Sequence, residues 1–262
     1  MELGRMRKLF ASVVLSASFA WSLPVDTSTV TAPDGSVSYL ARPATKDMIR
    51  RPALVLAPEW WGLNEYAKRR ARELAAEGYV VLAADFYGKR TVVGTPAEAG
   101  KLAGAFYGEP ARFRKTMERA VEQLRKRPDV DTAKLGALGF CFGGTAALEA
   151  ARAGLPFKVA TSFHGATKPF APTVAGSVKG AVQILHGGAD PMVSMEDVGA
   201  LVRDFEAAGA DYSVVVYPKA VHAFTNPDAG SDPSKGAAYN AAAEKASFEA
   251  FHRQLEQSGL KP

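Results

Sequence analysis

The chain contains one cysteine, and its neighbours are the residues a nucleophile would need. Cys141 lies in "GFCFGG" (Gly139–Gly144), so that Gly139 and Gly143 frame it as Gly-x-Cys-x-Gly. Two readings compete. Free cysteine is among the most buried residue types and can act as a small apolar side chain. It can also stand on a sharp strand-to-helix turn, where glycines let the strand and the following helix come close. The N-terminus of that helix would favour the thiolate, which is the attacking form. A thiol nucleophile needs a base, and the base needs an acid to orient it. "LHGGADPMV" places Asp190 in a loop 49 residues after Cys141, and "VYPKAVHAFTNP" places His222 in another loop 32 residues later. Alone, Asp190 also reads as a turn residue before Pro191, and His222 as a loop or core histidine. Their occurrence in the order nucleophile, acid, base favours a triad.

Such a triad works only if an ordered scaffold brings the three loops together. The sequence alternates apolar runs with helical patterns. "ALVLAP" (Ala53–Pro58), "YVVLAAD" (Tyr79–Asp85), "KLGALGF" (Lys134–Phe140), "FKVATSFHG", "GAVQILHGGAD" and "DYSVVVYP" read as strands. Between them, Asn64–Gly78, Pro110–Lys126, Phe142–Arg152 and "SMEDVGALVRDFEAAG" read as helices, and "YNAAAEKASFEAFHRQLEQ" as a closing helix. The Gly/Thr/Pro-containing stretch before Pro110 gives no assignable element. "TSTVTAPDGSVSYLARP" reads as a strand, a Pro-Asp-Gly turn and a second strand. Repeated β-α units predict an α/β fold with a mostly parallel sheet and helices on both faces. Ligands in such sheets bind outside the carboxyl ends of the strands, which is where Cys141, Asp190 and His222 fall.

With "PEWWGLN" (Pro58–Asn64), "ADFYG" (Ala84–Gly88) and "HAFTNP" (His222–Pro227) added, the chain resembles the dienelactone hydrolase family of the α/β-hydrolase fold over roughly residues 27–255. The resemblance implies Cys141 as nucleophile, His222 as base and Asp190 as its orienting acid. It implies that Glu59 contacts the resting thiol and helps generate the thiolate when substrate binds. A carboxylate beside a thiolate is disfavoured, so a neutral resting thiol is expected. The backbone N–H groups of Phe142 and Trp60 are expected to form the oxyanion hole. Tyr87, Lys89, Trp61, His164 and Asn226 are expected to contact substrate. One departure stands out. The dienelactone-cleaving members hold a substrate carboxylate with two arginines. Here those regions read "ADFYGKR", offering Lys89 and Arg90, and "HAFTN", with Asn226 in the second arginine's place. Neither lysine nor asparagine supplies arginine's bidentate fork.

Composition excludes several other classes. The 262 residues are 47% hydrophobic and 23% charged, with a net charge of +5, which fits one globular domain. Basic and acidic residues are interspersed, so no basic stripe points to nucleic acid. No metal-ligand spacing such as H-E-x-x-H and no Walker lysine occur, so neither a metal nor a cofactor is expected. The start, "MELGRMRKLFASVVLSASFAWSLP", has a basic opening and a short apolar run ending in Ser18-Phe19-Ala20. It reads as a signal peptide over residues 1–20, leaving a single domain at 21–262. Export to the periplasm or medium follows, with no stable membrane span after cleavage. The expectation is a monomeric hydrolase of small esters or lactones. An exported small-molecule-binding protein on the same scaffold, or a redox-sensing thiol, are the alternatives.

Overall fold

The computed structural model describes residues 22–262; the expected signal peptide lies outside them. Its sheet has eight strands: β1 (Val25–Thr31), β2 (Val37–Pro43), β3 (Arg51–Ala57), β4 (Val80–Ala83), β5 (Val130–Phe140), β6 (Val159–Phe163), β7 (Ala181–Gly187) and β8 (Tyr212–Tyr217). Their spatial order is β1-β2-β4-β3-β5-β6-β7-β8. β1 and β2 pair antiparallel as the hairpin read around Pro33–Gly35, and β2 runs antiparallel to β4. From β4 to β8 every pairing is parallel. The middle strands are apolar on both faces because both faces are covered; β4 and β6 are buried at every position.

The helices divide between the two faces. α1 (Glu65–Ala76) and α6 (Ala241–Gln257) pack on one side through Leu74, Phe251 and Leu255. α2 (Pro96–Gly108), α3 (Ala111–Arg125), α4 (Phe142–Arg152) and α5 (Met195–Ala208) contribute Phe106, Phe113, Leu148 and Phe205 to the core of the other. α2 falls in the Gly/Thr/Pro-containing stretch that the sequence leaves unassigned. A capping box starts it: Thr95 Oγ1 accepts from the Glu98 amide, Glu98 reaches back to the Thr95 amide, and Pro96 fills the first turn. Three glycines in thirteen residues hide this helix from periodicity, although Thr-Pro-Ala-Glu marks its start.

Parallel register aligns the strand ends. Ala57 stands beside Gly139, Phe140 beside Phe163 and Phe163 beside Leu185. The chain leaves each of these strands at nearly the same level, which brings the intervening loops to one edge of the sheet. Gly143 shows how tightly α4 is set against β3. A Cβ there would lie 2.1 Å from the Ala57 carbonyl oxygen, and one on Gly139 would lie 1.9 Å from the Gly143 oxygen. By contrast, a Cβ on Gly104, exposed inside α2, meets nothing within 4 Å. Gly143→Ala is therefore expected to lower stability by at least about 3 kcal/mol or abolish folding. Gly104→Ala should raise stability by about 0.5–1 kcal/mol. Urea denaturation of both variants checks the pair, and an unchanged midpoint for Gly143→Ala would contradict the packing.

Candidate active site

Glu59 follows β3, Cys141 follows β5, Asp190 follows β7 and His222 follows β8. Glu59, Cys141 and His222 line one cavity of about 710 Å³, and Asp190 stands behind His222.

Cys141 occupies the position before α4 with φ 54° and ψ −117°. This conformation costs an L residue about 1–3 kcal/mol. The surrounding backbone enforces it. The Cys141 amide is shared between the Phe163 carbonyl at 3.0 Å and His164 Nδ1 at 3.1 Å. Its carbonyl accepts from the Gly144 and Thr145 amides at 2.9 and 3.2 Å. Among the described residues, neither the Phe142 nor the Trp60 amide donates to another protein group.

His222 Nδ1 meets Asp190 Oδ2 at 2.8 Å, and both side chains are buried. The other carboxylate oxygen of Asp190 accepts from the Met192 and Val193 amides at 2.8 and 3.2 Å. Asp190 is thus fixed on both sides, and it holds the proton on Nδ1, leaving Nε2 for proton exchange. Burial pulls the His222 pKa down, but the Cys141 sulfur and the Asp190 carboxylate outweigh it and hold the ring up at about 10. The Cys141 sulfur and the Asp190 carboxylate thus both favour the protonated ring.

Glu59 is buried and bonded to Asn226, whose Nδ2 donates to Oε2 at 2.7 Å. No hydrogen bond joins Glu59 to Cys141, so the expected contact with the resting thiol gives way to the asparagine. Burial raises the Glu59 pKa to about 7, against the lowering effects of Asn226 and the His222 charge. Near neutrality this carboxyl can therefore hold a proton, which lets it share the cavity with Cys141 and His222 without carrying a full negative charge.

The expected substrate contacts divide. Trp60, Trp61 and Asn226 line the cavity. His164 does not: it is only 1% exposed, with Nδ1 on the Cys141 amide and Nε2 at 2.8 Å from Thr225 Oγ1. Burial and the neighbouring His222 hold its pKa well below the usual histidine value. A neutral ring that accepts at Nδ1 must carry its proton on Nε2 and donate it to Thr225. Thr225 in turn meets Tyr66 Oη at 2.8 Å, and its carbonyl accepts from Arg70 Nη2 at 2.9 Å. Arg70 is paired with Glu73 and with Glu244 of α6. Tyr87 also lies off the cavity; its hydroxyl donates to the Trp60 carbonyl at 2.9 Å and its ring packs on Phe142. Lys89 is exposed and absent from the lining. Thr225, Tyr66 and Arg70 were not singled out in the sequence. Thr225 lies within the "HAFTNP" motif, but Tyr66 and Arg70 look like ordinary positions of an amphipathic helix.

A family model described as the dienelactone hydrolase family matches residues 37–258. The chain belongs to this family. It is 30% identical over 202 residues to a Methylorubrum extorquens protein named "Putative carboxymethylenebutenolidase", covering 73% of this chain and 69% of that one. Among solved structures, m3DLH superposes with a TM-score of 0.84 at 32% identity, over 89% of this chain and 98% of its own. A dienelactone hydrolase-like promiscuous phosphotriesterase from metagenomic libraries gives 0.83 at 36% identity, over the same shares. Dienelactone hydrolase family membership makes the chain an α/β-fold hydrolase acting on small molecules.

Two predictions follow from the site. An unfolded Glu59 loses its proton near pH 4.5, whereas the folded one keeps it to about pH 7. Stability from this group therefore falls as pH rises through that window, by about 3 kcal/mol in all. Glu59→Gln should gain stability relative to the parent between pH 4.5 and 8 in urea titrations; a pH-independent difference would refute this assignment. His164→Asn keeps an acceptor near the Cys141 amide, while His164→Gln keeps only the reach to Thr225. Cys141 should be alkylated by iodoacetamide about tenfold faster in the Asn variant than in the Gln variant. Equal rates would show that the ring is not holding the cysteine backbone.

Proposed function

We propose that the chain is a thiol-dependent hydrolase of small esters or lactones that works through an acyl-cysteine. The observation that carries this is the strained Cys141 elbow in the same apolar-walled cavity as an Asp190-oriented His222. His222 takes the thiol proton, and the sulfur attacks the carbonyl carbon. The C=O π electrons move to oxygen, where the Phe142 and Trp60 amides receive the negative charge, each contributing about 3 kcal/mol. Collapse of the adduct breaks the acyl–oxygen bond, and His222 returns its proton to the leaving alkoxide. A water molecule, deprotonated by His222, then cleaves the thioester and releases the acid. In a lactone the leaving hydroxyl stays attached to the product. The relatives' names, a carboxymethylenebutenolidase and a promiscuous phosphotriesterase, are those of hydrolases.

A binding protein without turnover has no use for a histidine oriented by a buried aspartate in the same cavity as a thiol. The monomeric state and export to the periplasm or medium belong to the same proposal. They rest on the N-terminal pattern and on a domain whose site is complete within one chain. No helix among the described residues is long and apolar enough to cross a membrane.

Cys141→Ala should lower p-nitrophenyl acetate hydrolysis by at least about 10³-fold while leaving the circular dichroism spectrum and the urea midpoint intact. Cys141→Ser should fold normally and lose most activity, because the setting suits a thiolate. Substantial turnover by the Ala variant would remove the mechanism.

A further inference from the structure

The cavity beside Cys141 has a one-sided charge. Among the described residues, its lining includes the carboxyl groups of Glu59 and Asp228 but no lysine or arginine. Among the described lining residues only His222 has a side chain that can become positive, and that ring is already engaged by Asp190. The two places where the family puts cations are closed off. Asp85 accepts from the Gly88 and Arg90 amides, at 2.9 Å each, and so shapes a tight turn. In that turn Lys89 and Arg90 both have positive φ, and their side chains are exposed, outside the lining. Asn226 is committed at both ends: Nδ2 donates to Glu59, and Oδ1 accepts from the Asp228 amide at 3.0 Å. Asn226 thereby fixes the backbone of Asp228, an exposed carboxylate on the cavity wall. The opposing walls are apolar, chiefly Trp60, Trp61 and Val93.

A substrate carboxylate entering here would shed its water with no donor fork to replace it, and would face Asp228. A neutral chain would meet apolar walls. A cationic one would be drawn by Asp228 and could lie against tryptophan faces.

We propose that this cavity selects substrates by charge, accepting esters and lactones with a neutral or cationic acyl part and rejecting those that carry a carboxylate, with Asp228 setting the discrimination. The proposal rests on the hydrolase reading above. It is tested with the full chain and three p-nitrophenyl esters of similar length: valerate, monoglutarate and 4-(trimethylammonio)butyrate. Rates are taken as the Cys141-dependent part, after subtraction of the Cys141→Ala rate. The expected order of kcat/KM at low salt is cationic at or above neutral, and neutral above anionic by at least about tenfold, narrowing as salt is added. Asp228→Asn should shrink the neutral-to-anionic ratio at least about threefold, whereas Lys89→Ala should leave that ratio unchanged. Equal rates for the three esters, an unchanged ratio in Asp228→Asn, or loss of monoglutarate turnover in Lys89→Ala would overturn the charge selection while leaving the hydrolase reading standing. Absence of Cys141-dependent turnover would fell the hydrolase reading instead. The charge order is then read from protection of Cys141 against iodoacetamide: valeramide should protect and glutaramate should not, and equal protection overturns the inference.

Discussion

The site depends on a close approach of two backbones. α4 can begin directly after β5 only because Gly143 presents no Cβ to the Ala57 carbonyl and Gly139 presents none to Gly143. That contact turns the chain so sharply that Cys141 is left at a positive φ. The turn in turn fixes where the sulfur stands, which amides of α4 are free, and which loops can reach it. Parallel register supplies those loops, since the strands on either side end level with β5. The free energy stored in one unfavourable residue is offset by a helix buried along its whole length.

The protons of the site form a second layer of organisation. Glu59, Cys141 and His222 share a small volume with low polarity, so their charges cannot be set independently. Asp190 favours the imidazolium, and burial favours the neutral carboxyl of Glu59. The outcome is a site in which the ring of His222 and the carboxyl of Glu59 both hold protons more strongly than they would in water. His164, close to His222 but neutral, adds no competing cation.

Much of this was legible in the sequence where residue type alone decides the role. The glycines around Cys141, the spacing to Asp190 and His222, and the apolar runs of the central strands all follow from sterics and burial, which leave few alternatives. The misreadings share a different cause. His164 was expected at the pocket and is found beneath the nucleophile. Glu59 was expected on the thiol and is found on Asn226. Tyr87 supports Trp60 from behind. In each case the residue lies in the right loop, but the direction of its side chain depends on partners far along the chain, such as Thr225 and Trp60. Helix α2 was missed because its glycines weaken the periodic signal, although its capping box is written plainly in Thr95–Glu98.

The groups that hold the site and the groups that face the cavity are largely different residues. His164, Thr225, Tyr66 and Arg70 tie the cysteine backbone to α1 and α6 from beneath, while Val93, Met192, Ala229 and Ala237 form wall and rim on loops from separate parts of the chain. This division makes the protein evolvable in a specific sense. Side-chain changes at Val93 and Ala229 can reshape the wall for new acyl groups away from the frame beneath Cys141, whereas Met192 and Ala237 are tied through their backbones to Asp190 and His222.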